Sequence, residues 1–126
     1  MSVIINGDSV ITSPLRVGFG AGNVTSNAAV GLAALAANTT GSNNTAIGYQ
    51  SLESNTVGYT NTAVGRRSLN LNVSGYENVA VGYNALYANT TNRNTAVGTQ
   101  ALGNNTTGTP NDAFGFQALY NNTTGT

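Results

Sequence analysis

Six times the chain spells Asn-x-Ala-(Val/Ile/Phe)-Gly followed by a leucine, with copies opening at Asn27, Asn44, Asn61, Asn78, Asn94 and Asn111. The gaps between them are 17, 17, 17, 16 and 17 residues. No other feature constrains the fold as strongly. Self-similarity at a short fixed period is the signature of units stacked on one another. In such a stack each unit touches only its neighbours, so function must sit on the surface of a rod.

Columns emerge when each unit is numbered from its opening Asn. Column 3 is Ala in all six units and column 5 is Gly in all six. Column 4 runs Val30, Ile47, Val64, Val81, Val97 and Phe114, and column 9 runs Leu35, Leu52, Leu69, Leu86, Leu102 and Leu119. Column 12 is Asn throughout, and column 15 reads Gly41, Gly58, Gly75, Asn92, Gly108 and Gly125, with the fourth unit one residue short near its end.

The β-branched column 4 suits a strand buried on one face. The leucine column reads as a second short strand, and the two columns together as the repeat core. Asn-Thr-Thr-Gly is turn chemistry. Stacked Asn in columns 1 and 12 predicts side-chain amide ladders between coils. Asn92 in column 15 predicts positive φ there, because Asn follows Gly in tolerating a left-handed backbone. Column 5 admits only Gly, so it is expected to be limited by space against a neighbouring strand or chain. Ala28 to Ala37 alone would suit a helix. The other units carry Gly, Ser, Tyr, Asn and Thr there, and one fold must serve all six. The expected fold is therefore all-β: a parallel β-solenoid of 17-residue coils spanning residues 27–126.

Residues 1–26 depart from the repeat and read as an N-terminal cap or joint. Val3-Ile4-Ile5 and Val10-Ile11-Thr12 flank Asn6-Gly7-Asp8-Ser9 as a β-hairpin would. Val17-Gly18 and Asn23-Val24-Thr25 read as a shortened coil. At the other end the sixth unit stops just short at Thr126, where a continuing chain or another protein is expected to cover the stack.

Composition narrows the function. Only 6% of residues are charged and the formal net charge is zero. Arg16, Arg66, Arg67 and Arg93 are the four cations, too scattered for a nucleic-acid footprint. No apolar run is long enough to insert in a membrane. His, Cys and Lys are all absent, which removes the usual bases, metal ligands and activated nucleophiles. No catalytic residue, cofactor or metal is expected. Gly18-Phe-Gly20-Ala-Gly22 has the wrong spacing for a dinucleotide-binding turn. Low charge is compatible with disorder, but disorder does not require apolar residues in register.

Two surface columns stand out. Column 6 runs Tyr49, Arg66, Tyr83 through units two to four, and column 16 runs Tyr59, Tyr76, Arg93. Aromatics beside arginines on stacked strands can pair through the ring face. Stabilisation of an exposed ladder is the first expectation, and a saccharide-contacting patch the second. Thr39, Thr90, Thr106 and Thr123 in column 13 raise a rival of another class, an ice-binding solenoid. Consecutive Thr in a turn do not make the flat double row that such a surface needs.

Asn-Thr-Ala-(Val/Ile)-Gly-x-x-(Ala/Ser)-Leu followed by Asn-Thr-Thr-Gly resembles the repeat tracts of bacteriophage tail fibres, and it is similar to the head domain of trimeric autotransporter adhesins. Residues 44–48, 61–65 and 94–98 carry the motif most clearly, and the likeness covers 27–126. The resemblance implies an intertwined or side-by-side homotrimer of left-handed parallel β-rolls at a virion or extracellular surface, contributing to host attachment. Other fibre or virion proteins would join at its ends, and a cell-surface saccharide is a possible ligand. The amino terminus lacks the basic and apolar regions of a secretory signal. That favours the phage fibre, with a bacterial adhesin head as the alternative.

Overall fold

The computed structural model describes residues 17–126. The hairpin expected within residues 3–12 lies outside the described residues. After each opening Asn the chain forms one three-residue strand: β2 (Ala28–Val30), β3 (Thr45–Ile47), β4 (Thr62–Val64), β5 (Val79–Val81), β6 (Thr95–Val97) and β7 (Asp112–Phe114). These six pair in parallel, column on column, so that Ala46 lies against Ala63 and Val64 against Val81. The molecule is a parallel β-solenoid with coils of 17 residues. At about 4.8 Å per stacked strand, six coils rise roughly 29 Å.

Alternation along each strand sends one column inward and its neighbours outward. The inward column is the alanine, with Ala46, Ala63, Ala80 and Ala96 fully buried. This corrects the expected core. Val30, Val64, Val81 and Val97 are only half-buried, Ile47 is 41% exposed and Phe114 is 69% exposed, all on the outer face of the sheet. The leucines are the core: Leu35, Leu52, Leu69, Leu86 and Leu102 have no exposed surface, while Leu119, also expected in the core, is 50% exposed because no described coil stacks beyond it. A coil of this length has a narrow interior. With leucine filling it from one side, only a methyl fits opposite.

The second strand expected at the leucines is absent. Every leucine of column 9 has positive φ, from 48° at Leu52 and Leu102 to 50° at Leu35. A left-handed residue costs roughly 1–2 kcal/mol. Two gains offset it: burial of the leucine, worth about 1.5–3 kcal/mol, and an axial hydrogen bond. The Leu52 N–H donates to Ser68 O at 3.0 Å and the Leu69 N–H to Ala85 O at 3.0 Å. Column 7 is left-handed as well, and its N–H points the other way, as when Arg67 N donates to Tyr49 O at 2.9 Å. Positive φ thus turns successive N–H groups along the axis toward both neighbouring coils.

Asn lines the other half of the interior. Along column 1, each Oδ1 accepts from the next coil's Asn N–H, as in Asn61 N to Asn44 Oδ1 at 3.0 Å. Along column 12 the amides bond to each other, with Asn55 Nδ2 to Asn38 Oδ1 and Asn72 Nδ2 to Asn55 Oδ1 both 3.1 Å. Both columns also donate to the carbonyl of column 15: Asn44 Nδ2 and Asn55 Nδ2 reach Gly58 O at 2.8 and 3.1 Å.

That convergence explains the column 15 glycines and corrects the expectation of positive φ. Gly41, Gly58, Gly75, Gly108 and Gly125 do not have it. A Cβ on Gly58 would instead collide with Asn55 Oδ1 and Gly75 O. Nor does Asn92 belong to this column. Thr91 does, since Asn78 Nδ2 donates to Thr91 O at 2.8 Å just as Asn61 Nδ2 donates to Gly75 O at 2.8 Å. Thr90 keeps its place in column 13, so the residue missing from the fourth unit is that of column 14. Shortening the turn re-aims the chain there. Thr91 Oγ1 donates to Gly108 O at 3.0 Å, and Asn89 Nδ2 turns to Thr91 O at 2.8 Å, leaving Asn72 Oδ1 buried without a partner.

Column 5 combines both glycine arguments. Its φ runs from 121° at Gly115 to 134° at Gly98. A Cβ on Gly65 would also lie 2.6 Å from Gly82 O, and one on Gly82 would lie 2.7 Å from Gly98 C and O.

The N-terminal end of the stack is covered. β1 (Val17–Gly18) runs antiparallel to β2, with Val17 against Val30 and Gly18 against Ala29. A short 3-10 turn, Ala21–Asn23, follows, and Ala21 N donates to Leu35 O at 3.0 Å.

Candidate functional site

The period places columns 16 and 6 on either side of each strand, so the two Tyr/Arg columns flank the outer face of the sheet. In column 6 the Arg66 Cζ lies 5.7 Å from the ring centroid of Tyr49 and 5.7 Å from that of Tyr83. One guanidinium is held between two rings. In column 16 the rings of Tyr59 and Tyr76 stack with centroids 4.8 Å apart and planes 3° from parallel. That distance is the spacing of neighbouring strands in a sheet. The coil repeat itself therefore sets the stack.

Arg93 joins the second group by a different route from the one expected. With column 14 missing, Arg93 falls in column 17: its N–H donates to Tyr76 O at 3.1 Å, as Glu77 N does to Tyr59 O at 3.1 Å. Its Cζ still lies 5.8 Å from the Tyr76 centroid, and its Nε donates to Glu77 Oε2 at 2.8 Å. The hydrogen bond to Glu77, with the carboxylate charge behind it, holds the Arg93 pKa above its ordinary value. Both groups are exposed, so water and salt screen the pair.

Columns 7 and 10 add a polar chain that column-by-column reading missed. Arg67 Nε donates to Gln50 Oε1 at 2.9 Å. Gln50 Nε2 donates to Glu53 Oε1 at 3.1 Å, and Asn70 Nδ2 donates to Glu53 Oε2 at 3.0 Å. The signal was available: residues 17 apart meet across coils, and a residue of column 7 meets one three places on in the same turn.

The column 13 hydroxyls of Thr39, Thr56, Thr90 and Thr106 are used within the chain. Thr39 Oγ1 donates to Thr56 O at 2.9 Å and Thr90 Oγ1 to Thr106 O at 2.7 Å. Among the described residues no group of His, Cys, Asp or Glu is arranged to hold a metal ion. The cleft between the cap and the first coil is lined by apolar residues such as Val17, Phe19, Ala33 and Ala36, with no acid or base among its lining residues.

Comparison with protein-family models, with curated proteins and with solved structures gave no match. The functional reading therefore rests on the geometry of this chain and on the resemblance of its repeat.

Proposed function

We propose that this chain is a non-catalytic structural segment of a phage tail fibre, that it works as a parallel homotrimer, and that it contributes to attachment at the host surface. One observation carries the reading: an outward row of apolar side chains, Val30, Ile47, Val64, Val81, Val97 and Phe114, runs along the six parallel strands of the sheet. Thr45 and Ile47, Thr62 and Val64, Val79 and Val81, and Thr95 and Val97 repeat rung upon rung on that face. Copies related by an axis along the solenoid bring like rungs together at every coil, so one contact repeats down the whole length. Burying that face also supplies the apolar area that a single narrow coil lacks.

The Tyr/Arg columns border this face and stay at its rim, where they remain available to solvent. The ends of the segment join other fibre or virion proteins. A rod of this kind sets distance and direction, and its side carries whatever contacts it makes.

Antibodies raised against residues 17–126 test the reading by gold labelling in the electron microscope. Label on thin fibres of particles released by lysis is the expected result. Label on the outer surface of intact cells would instead favour the adhesin head, and label confined to the cell interior would contradict both.

A further inference from the structure

The Tyr49–Arg66–Tyr83 group does more than stabilise a ladder. We propose that Arg66 is a binding point for an oxyanion carried on a surface glycan, either the carboxylate of a uronic acid or a phosphate ester. A guanidinium is a planar fork of five donors matched to two acceptor oxygens. Here a ring centroid lies 5.7 Å away on each side, and Arg66 is exposed with no hydrogen bond from its guanidinium among the described residues, so its donors remain free for solvent. A head held in this way loses little freedom when it binds.

The nearby acids are engaged elsewhere. Glu77 is paired with Arg93, and Glu53 accepts from Gln50 and Asn70. Among the described residues, Arg66 has no carboxylate partner within ion-pair distance. Its neighbour Arg67 donates through Nε to the uncharged Gln50, which donates in turn to Glu53. Self-stabilisation would be served by cation and rings alone. The open donor edges are what an anion would use.

The biological sense of this contact rests on the attachment reading, while the binding itself does not. The test uses the full chain at low salt against three immobilised polymers: polygalacturonate, a phosphomannan and neutral dextran. Binding to the anionic polymers and not to dextran is expected, weakening as salt rises. The tighter of the two anionic polymers identifies the source of the oxyanion. Arg66→Gln should weaken binding roughly tenfold, the loss of one charged hydrogen-bonding partner. Arg66→Lys should restore only part of it, since the ammonium lacks the planar fork. Circular dichroism matching the parent in both variants shows that the side chain was read and not the fold. Absence of wild-type binding to either anionic polymer overturns the proposal, as does Arg66→Gln binding within twofold of wild type. Fibre labelling with Arg66-independent binding would leave attachment standing and remove this site. Arg66-dependent binding without fibre labelling would do the reverse.

Discussion

Leu69→Asp should abolish the folded solenoid. Leu69 has no exposed surface, lies in a middle coil, and stacks between Leu52 and Leu86. Truncating a buried leucine costs about 2–5 kcal/mol from lost contacts and the cavity left behind. A carboxylate there adds a charged group with no partner. Such a loss rivals the whole stability of an ordinary domain, roughly 5–15 kcal/mol. Far-ultraviolet circular dichroism and a denaturant titration check it. Leu119→Asp is the control, because Leu119 is 50% exposed and an ion there stays hydrated. Its spectrum should match the parent. A folded Leu69→Asp variant would mean that the leucines do not form the core.

Glycine substitutions should fail in both glycine columns, for different reasons. Gly82→Ala places a Cβ 2.7 Å from Gly98 C and O, where backbone meets backbone and neither can step aside. It also forces alanine to a φ of 131°. Overpacking costs typically about 1–3 kcal/mol, and such a backbone adds about 1–3 kcal/mol. Gly58→Asn needs no unusual φ, yet its Cβ would collide with Asn55 Oδ1 and Gly75 O, where the two Asn columns converge. Breaking that buried junction costs a further 1–3 kcal/mol or so for each unsatisfied group. Thermal melting of the two variants should show both far below wild type. A Gly58→Asn variant that melts with the parent would show that column 15 lies outside the coil interior.

Much of this fold was legible because a period states which residues meet. Asn44, Asn61 and Asn78 had to fall on one line, and a line of buried amides bonds along itself. Tyr59 over Tyr76, and Arg66 between Tyr49 and Tyr83, follow from the same arithmetic. What a period does not state is phase. Ala63 and Val64 are both apolar, and alternation requires only that they point opposite ways. The larger residue is the stronger apolar candidate, but the width of the coil decides for the smaller. The leucines misled for a related reason. Leucine in a regular element is not left-handed, and only the axial hydrogen bonds of a stacked coil make that conformation worthwhile at Leu52 or Leu69. The gap in the fourth unit could not be located within Asn89-Thr90-Thr91-Asn92 by counting. The carbonyl that Asn78 reaches locates it. Of the candidate site, the ladders were legible. The Arg67–Gln50–Glu53–Asn70 chain keeps to spacings of 17 residues across coils and three within a turn, but it crosses between two columns, and columns read one at a time do not show it.

The parallel association proposed above runs through the outward apolar column of the sheet, and light scattering at micromolar concentration measures it. A particle of three times the 12.8 kDa chain mass is expected. Val64→Lys combined with Val81→Lys, two charges on the outer face of β4 and β5, should give the single-chain mass with the circular dichroism of the parent. A wild-type protein that stays at the single-chain mass at this concentration would overturn the proposed association.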